Sequence, residues 1–149
     1  MPHKTYQKGG LFMKKLLLLL ALGLTTLSMN AQDLRNANNA TIGKIESDGT
    51  VRNSSNSTVG KIERDGTIRN SNNASIGKID SDGTVRNGNN ASIGKIDSDG
   101  TVKNSNNSTS GKVCSDGTVR NSNNATIGYA KGVPVRYAAL FFFFDFFKK

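Results

Sequence analysis

The residues best suited to chemistry are paired acids. Glu46-Ser47-Asp48-Gly49 sets two carboxylates one residue apart just ahead of a glycine, and pairs in the same relation return at Glu63/Asp65, Asp80/Asp82 and Asp97/Asp99. Ca²⁺ takes several hard oxygen ligands around a sharp turn, so these eight residues are the candidate metal ligands. A calcium loop would add a third or fourth side-chain ligand, but here a Thr and a β-branched aliphatic follow each glycine. The competing role is turn-making, in which Asp hydrogen-bonds to nearby backbone and Gly takes the left-handed conformation. Turn chemistry is the expectation, with no metal and no cofactor. A Ca²⁺-stabilised extracellular repeat is the alternative.

A second set is basic. Lys44, Arg52, Lys61, Arg69, Lys78, Arg86, Lys95, Lys103, Lys112 and Arg120 recur at fixed places and predict one or two stripes of positive charge. Such stripes suit an anionic glycan, a lipid head group or nucleic acid. Acids recur almost as regularly and no aromatics interleave to stack bases, so a solvated mixed-charge face is the expectation and nucleic acid is not an expected partner. Asn-x-Ser/Thr triplets such as Asn73-Ala74-Ser75 read first as turns. Cys114, the only cysteine, stands where other copies carry an acid; without a partner it excludes a disulfide framework and a cysteine-based metal site. The only histidine is His3. No nucleophile–base pair and no phosphate loop is visible, and a catalytic centre needs unlike residues to converge. The expectation is a protein that is not an enzyme.

The elements that position these residues begin after a targeting segment. In residues 13–31, Lys14 and Lys15 precede the apolar run Leu16 to Leu24, and Ala31 is a plausible cleavage position before Gln32. This is the pattern of a secretory signal peptide. The run is shorter than the roughly 20 apolar residues a transmembrane helix needs. Met13 is the better start than Met1, leaving residues 1–12 as an upstream extension. Cleavage would remove Lys4, Lys8, Lys14 and Lys15 and lower the formal charge from +9 to +5.

A repeat fills most of the remaining chain. Ile42-Gly43-Lys44-Ile45-Glu46-Ser47-Asp48-Gly49-Thr50-Val51-Arg52-Asn53 begins again at Val59, Ile76, Ile93 and Ser110, always 17 residues on. Asn- and Gly-rich composition alone would allow disorder, but a disordered chain has no reason to keep this spacing. The apolar positions are β-branched and suit strands. A three-residue loop Ser47-Asp48-Gly49 predicts a hairpin with Gly49 left-handed and Ile45 opposite Val51. The Asn-Ser stretch that follows should bend the chain toward the next hairpin. Gly43, Gly60, Gly77, Gly94, Gly111 and Gly128 inside strands predict a bulge or a close backbone approach, here attributed to crowding of repeats about a common axis.

The Ile-Gly-Lys-Ile, Asp-Gly-Thr-Val-Arg-Asn and Asn-Asn-Ala-Thr-Ile-Gly-Tyr-Ala segments resemble the five-fold β-flower proteins, small secreted bacterial repeat proteins. The resemblance covers about Leu34 to Phe147 and implies fold and location only.

Two all-β architectures fit: a closed ring of hairpins, or an open β-solenoid. Half units at Leu34-Arg35-Asn36 and Ile127-Gly128-Tyr129 favour the ring, because together they complete a hairpin and remove the free edges. The repeat domain is drawn at 32–137 and a hydrophobic tail at 138–149. Six of the seven Phe lie in this tail. Short aliphatics give the repeats a thin core, so Leu140 to Phe144 should pack across or beside them as a plug. The other uses of the tail are contact with a partner or self-association through Phe141, Phe142, Phe143 and Phe144, and insertion into a membrane surface. The functional expectation is a secreted, periplasmic or extracellular module of the cell envelope. It would be structural or would bind an envelope glycan or protein.

Overall fold

The computed structural model describes residues 31–148. The expected upstream extension, residues 1–12, and the expected signal peptide, residues 13–31, lie outside them apart from Ala31. Twelve antiparallel strands, each next to its neighbour in sequence, form a closed barrel. They are β1 (Ala31–Asn36), β2 (Thr41–Glu46), β3 (Thr50–Asn53), β4 (Thr58–Ile62), β5 (Thr67–Asn70), β6 (Ser75–Ile79), β7 (Thr84–Asn87), β8 (Ser92–Ile96), β9 (Thr101–Asn104), β10 (Thr109–Val113), β11 (Thr118–Asn121) and β12 (Thr126–Tyr129). The ring is therefore the architecture, not the solenoid.

Its closure uses the two half units. β1 pairs with β12 in the register Arg35↔Tyr129 and Asn36↔Gly128, matching Lys44↔Arg52 and Gly43↔Asn53 of the first contiguous repeat. Five hairpins are contiguous in sequence and the sixth is assembled from the two ends. Every strand thus has two neighbours, and no edge is left to pair with another chain.

Each repeat dictates its own two turns. Gly49 N–H donates to the Glu46 carbonyl at 2.9 Å, and Gly49 has φ 89°, so the loop is Ser47-Asp48-Gly49 and Ile45 faces Val51. At the other end Asn53 Oδ1 accepts from the N–H groups of Ser55 and Ser57, both at 3.0 Å, and Asn56 takes φ 64°. The two asparagines of each such turn do different work: the first replaces missing backbone partners, and the second tolerates positive φ. Where β3 meets β4 the register shifts, with Val51↔Gly60 followed by Arg52↔Thr58, so Val59 is an extra bulged residue just before the glycine.

Alternation along each strand sends Ile45 and Val51 inward and Lys44 and Arg52 outward. The inward layer is Ile45/Val51, Ile62/Ile68, Ile79/Val85, Ile96/Val102 and Val113/Val119, completed by Leu34 and Ala130, all buried. These short side chains cannot fill the lumen. Helix α1 (Val135–Phe143) does, burying Ala138, Ala139 and Leu140 completely. The plug is thus threaded through the ring instead of lying across or beside it. No helix among the described residues is long and apolar enough to cross a membrane.

The inward glycines explain how the plug is seated. Phe141 lies against Gly43, Phe142 against Gly128, Phe143 against Gly111, Phe144 against Gly94, Phe146 against Gly77 and Phe147 against Gly60. Each hairpin offers one glycine and receives one phenyl ring. A Cβ at any of these glycines would meet its ring within 3.0 Å and the carbonyl oxygen of the paired strand more closely than ordinary contact allows. The crowding therefore has two sources: the paired strand of the repeats and the phenyl ring of the tail.

Candidate functional site

The paired acids are split between two tasks. On the outer wall Glu46 binds Arg52 at 2.5 Å, Glu63 binds Arg69 at 2.9 Å, Asp80 binds Arg86 at 2.8 Å and Asp97 binds Lys103 at 3.2 Å. The second acid of each pair serves its own turn: Asp48, Asp65, Asp82 and Asp99 each accept from the N–H of the Thr two residues on, at 2.9 Å. That bond, with a second from the Thr hydroxyl, holds these carboxyls below the usual aspartate range, as it does for Asp116. Among the described residues no three His, Cys, Asp or Glu gather as a metal-holding group.

The basic residues form a belt. Lys44 faces Arg52, Lys61 faces Arg69, Lys78 faces Arg86, Lys95 faces Lys103, and Lys112 faces Arg120 across the hairpins. Like charges opposed in this way repel, and the diagonal acid relieves the strain in four hairpins. In the fifth, Cys114 replaces the acid, and Arg120 keeps only the bond to the Asn124 carbonyl, at 3.1 Å, that Arg52, Arg69 and Arg86 make to the equivalent carbonyls beside their ion pairs. Cys114 is a half-buried free thiol.

One family profile, described as 5-fold beta-flower protein, matches residues 31–147, the whole ring and its plug. The chain is a member of this β-flower family. No curated protein and no solved structure matches it. In this β-flower protein the ring closes with six hairpins, five contiguous and one shared between the ends.

Unlike residues converge at one place, which sequence reading missed. A cleft of about 360 Å³ opens at the Asp-Gly end, between the loops of the second and third hairpins and the start of α1. Glu63, Arg64, Asp65, Asp80, Arg136 and Tyr137 contribute to its walls. Arg136 reaches from the plug to the ring, donating to the Ser81 carbonyl at 2.9 Å and to the Asp80 carbonyl at 3.4 Å. Arg64 holds the place that Ser47, Ser81, Ser98 and Ser115 hold in the other contiguous repeats. That substitution was the available signal: a cation inserted at one copy of an otherwise constant loop position.

Proposed function

We propose that this β-flower protein is exported and serves the cell envelope as a non-enzymatic structural or binding module. The observation that carries the reading is the outer wall, which sets the same Lys/Arg ladder on five consecutive hairpins of a ring without edges. Identical groups at fixed spacing favour many weak contacts with a repeating partner, such as an envelope glycan, over one strong contact. Most of the acids are already tied into ion pairs and turns, which suits a scaffold better than proton transfer.

The test has two parts. Fractionation of the source cell should recover the protein outside the cytoplasm with Gln32 as its first residue. Isolated envelope glycan should retain it at low salt and release it at high salt, and replacing Lys44, Lys61, Lys78, Lys95 and Lys112 by Ser should weaken retention. Recovery in the cytoplasm with residues 13–31 intact would refute export. Retention unchanged in the Lys variant would refute the role of the wall.

A further inference from the structure

We infer that the cleft between the second and third hairpin loops binds a small molecule bearing an oxyanion, gripped by Arg64 and Arg136 and packed on Tyr137. The inference goes beyond the envelope reading and does not depend on it.

The charges in the cleft decide the ligand class. Glu63 is neutralised by Arg69 and Asp80 by Arg86, both on the outer wall. Asp65 commits Oδ1 to the Thr67 N–H at 2.9 Å. Against these, Arg136 spends its bonds on two neutral carbonyls, and Arg64, exposed in its loop, makes no ion pair among the described residues. Of the three carboxylates in the cleft wall, two are held in ion pairs and the third serves its own turn, so the two guanidiniums are the charged groups left to meet a ligand. A guanidinium presents five donors in a planar fork that fits the two oxygens of a carboxylate or phosphate. Arg136 keeps donors to spare, and its carbonyl bonds hold the fork in place, so little freedom is lost on binding.

Geometry sets the size and shape. A volume of about 360 Å³ is at the small end of ligand pockets and suits a single acidic sugar or a phosphate-bearing fragment, not a polymer. Tyr137 is half-buried in the cleft wall, and a tyrosine there supplies an amphipathic surface for the ligand body. The six-fold repeat cannot supply this site elsewhere: the other contiguous repeats have Ser in place of Arg64, and the plug carries one Arg. These two cations are what sets the loops of the second and third hairpins apart in charge.

The test is a titration of the full chain with glucuronate, inorganic phosphate and glucose, followed by amide chemical shifts and calorimetry. Arg64→Ser installs the residue of the other four loops and so leaves the ring intact. Arg136→Met keeps an aliphatic stem and removes the fork. Shifts should concentrate at Gly66, Ser81 and Tyr137 with one or both anions and be absent with glucose. Each variant should weaken binding at least about tenfold. Glucuronate binding alone identifies a carboxylate ligand, and phosphate binding alone identifies a phosphate ligand. Binding of neither anion, equal binding of glucose, or unchanged affinity in Arg64→Ser would overturn the inference.

Discussion

Replacing Gly77 by Ala tests whether the inward glycines exist for the phenyl rings. The new methyl would lie 2.5 Å from Phe146 Cε1, 2.8 Å from its Cζ and 2.6 Å from the Arg86 carbonyl oxygen. Carbon atoms rest at about 3.5–4.0 Å, so the ring must retreat by about 1 Å. Phe146 cannot do so alone, because its ring stacks on Phe144 at 6.2 Å and tilts against Phe147 at 6.3 Å. Overpacking of this kind costs about 1–3 kcal/mol. Phe146→Ala alone should cost about 2–3 kcal/mol, toward the low end for a phenylalanine because the ring is only half-buried. In the double variant only the carbonyl contact remains, so the two losses should fall short of their sum by about 1–2 kcal/mol. Urea unfolding followed by far-UV circular dichroism gives all three values. Gly88→Ser is the control: its Cβ would find its nearest neighbour at 3.4 Å, and Ser stands there in the other four contiguous copies, so stability should change by less than about 0.5 kcal/mol. Additivity of Gly77→Ala and Phe146→Ala within about 0.3 kcal/mol would refute the pairing of ring and glycine.

Asn70→Ala removes the acceptor of the Asn72 and Ala74 N–H groups and should cost about 1–2 kcal/mol, whereas Asn73→Gly, at φ 65°, should be nearly neutral; urea midpoints separate the two. Cys114→Glu should restore the missing diagonal pair with Arg120 and raise stability by about 0.5 kcal/mol, a small gain because such pairs are half-exposed; thermal melting at low and high salt reads it. The five turn aspartates titrate below their unfolded value of about 3.9, so their contribution is complete above that pH and is lost as pH falls through their lower folded values. The melting temperature should therefore hold from pH 7 to about pH 5 and drop below about pH 4. Because these carboxylates serve their own turns, Ca²⁺ or a chelator should leave the melting midpoint in place; a rise with Ca²⁺ would restore the metal alternative.

The legible parts of the fold were those in which a short stretch carries its own instruction. Asp48-Gly49 names a turn residue and a left-handed residue in succession, so loop length, register and the Ile45–Val51 pair follow without tertiary information. The half units also announce closure, since Leu34-Arg35-Asn36 lacks only the strand that Ile127-Gly128-Tyr129 supplies. Position of the tail was harder. A run such as Ala138 to Phe144, apolar on all sides, specifies burial but not where, and the lumen that receives it exists only once the ring has closed. The glycines carried a correct local reading, close backbone approach, but only part of it, because the phenyl ring that also approaches each one lies 14 to 98 residues away in sequence. The cleft was hidden for the same reason. Arg64 and Arg136 are 72 residues apart, and only the threading of α1 brings the plug against the second and third loops.

The lone acid in the phenylalanine run follows from the winding of the plug. Successive rings serve successive hairpins: Phe141 the first, Phe142 the sixth, Phe143 the fifth, Phe144 the fourth, Phe146 the third and Phe147 the second. A helix cannot complete that circuit, because residues four apart return to the same face. Continued past Phe143, it would bring residue 145 back over the hairpin that Phe141 already fills. The helix therefore has to end, and Phe144 is extended at φ −122° and ψ 146°. A turn follows at Asp145 and Phe146, with Asp145 a residue type suited to turns and exposed, its Oδ1 3.0 Å from Lys148 Nζ. That turn redirects the chain so that Phe146 and Phe147 reach the last two glycines. Six rings on six hairpins thus require a break in the apolar run, and Asp145 stands where the helix has exhausted the hairpins it can reach.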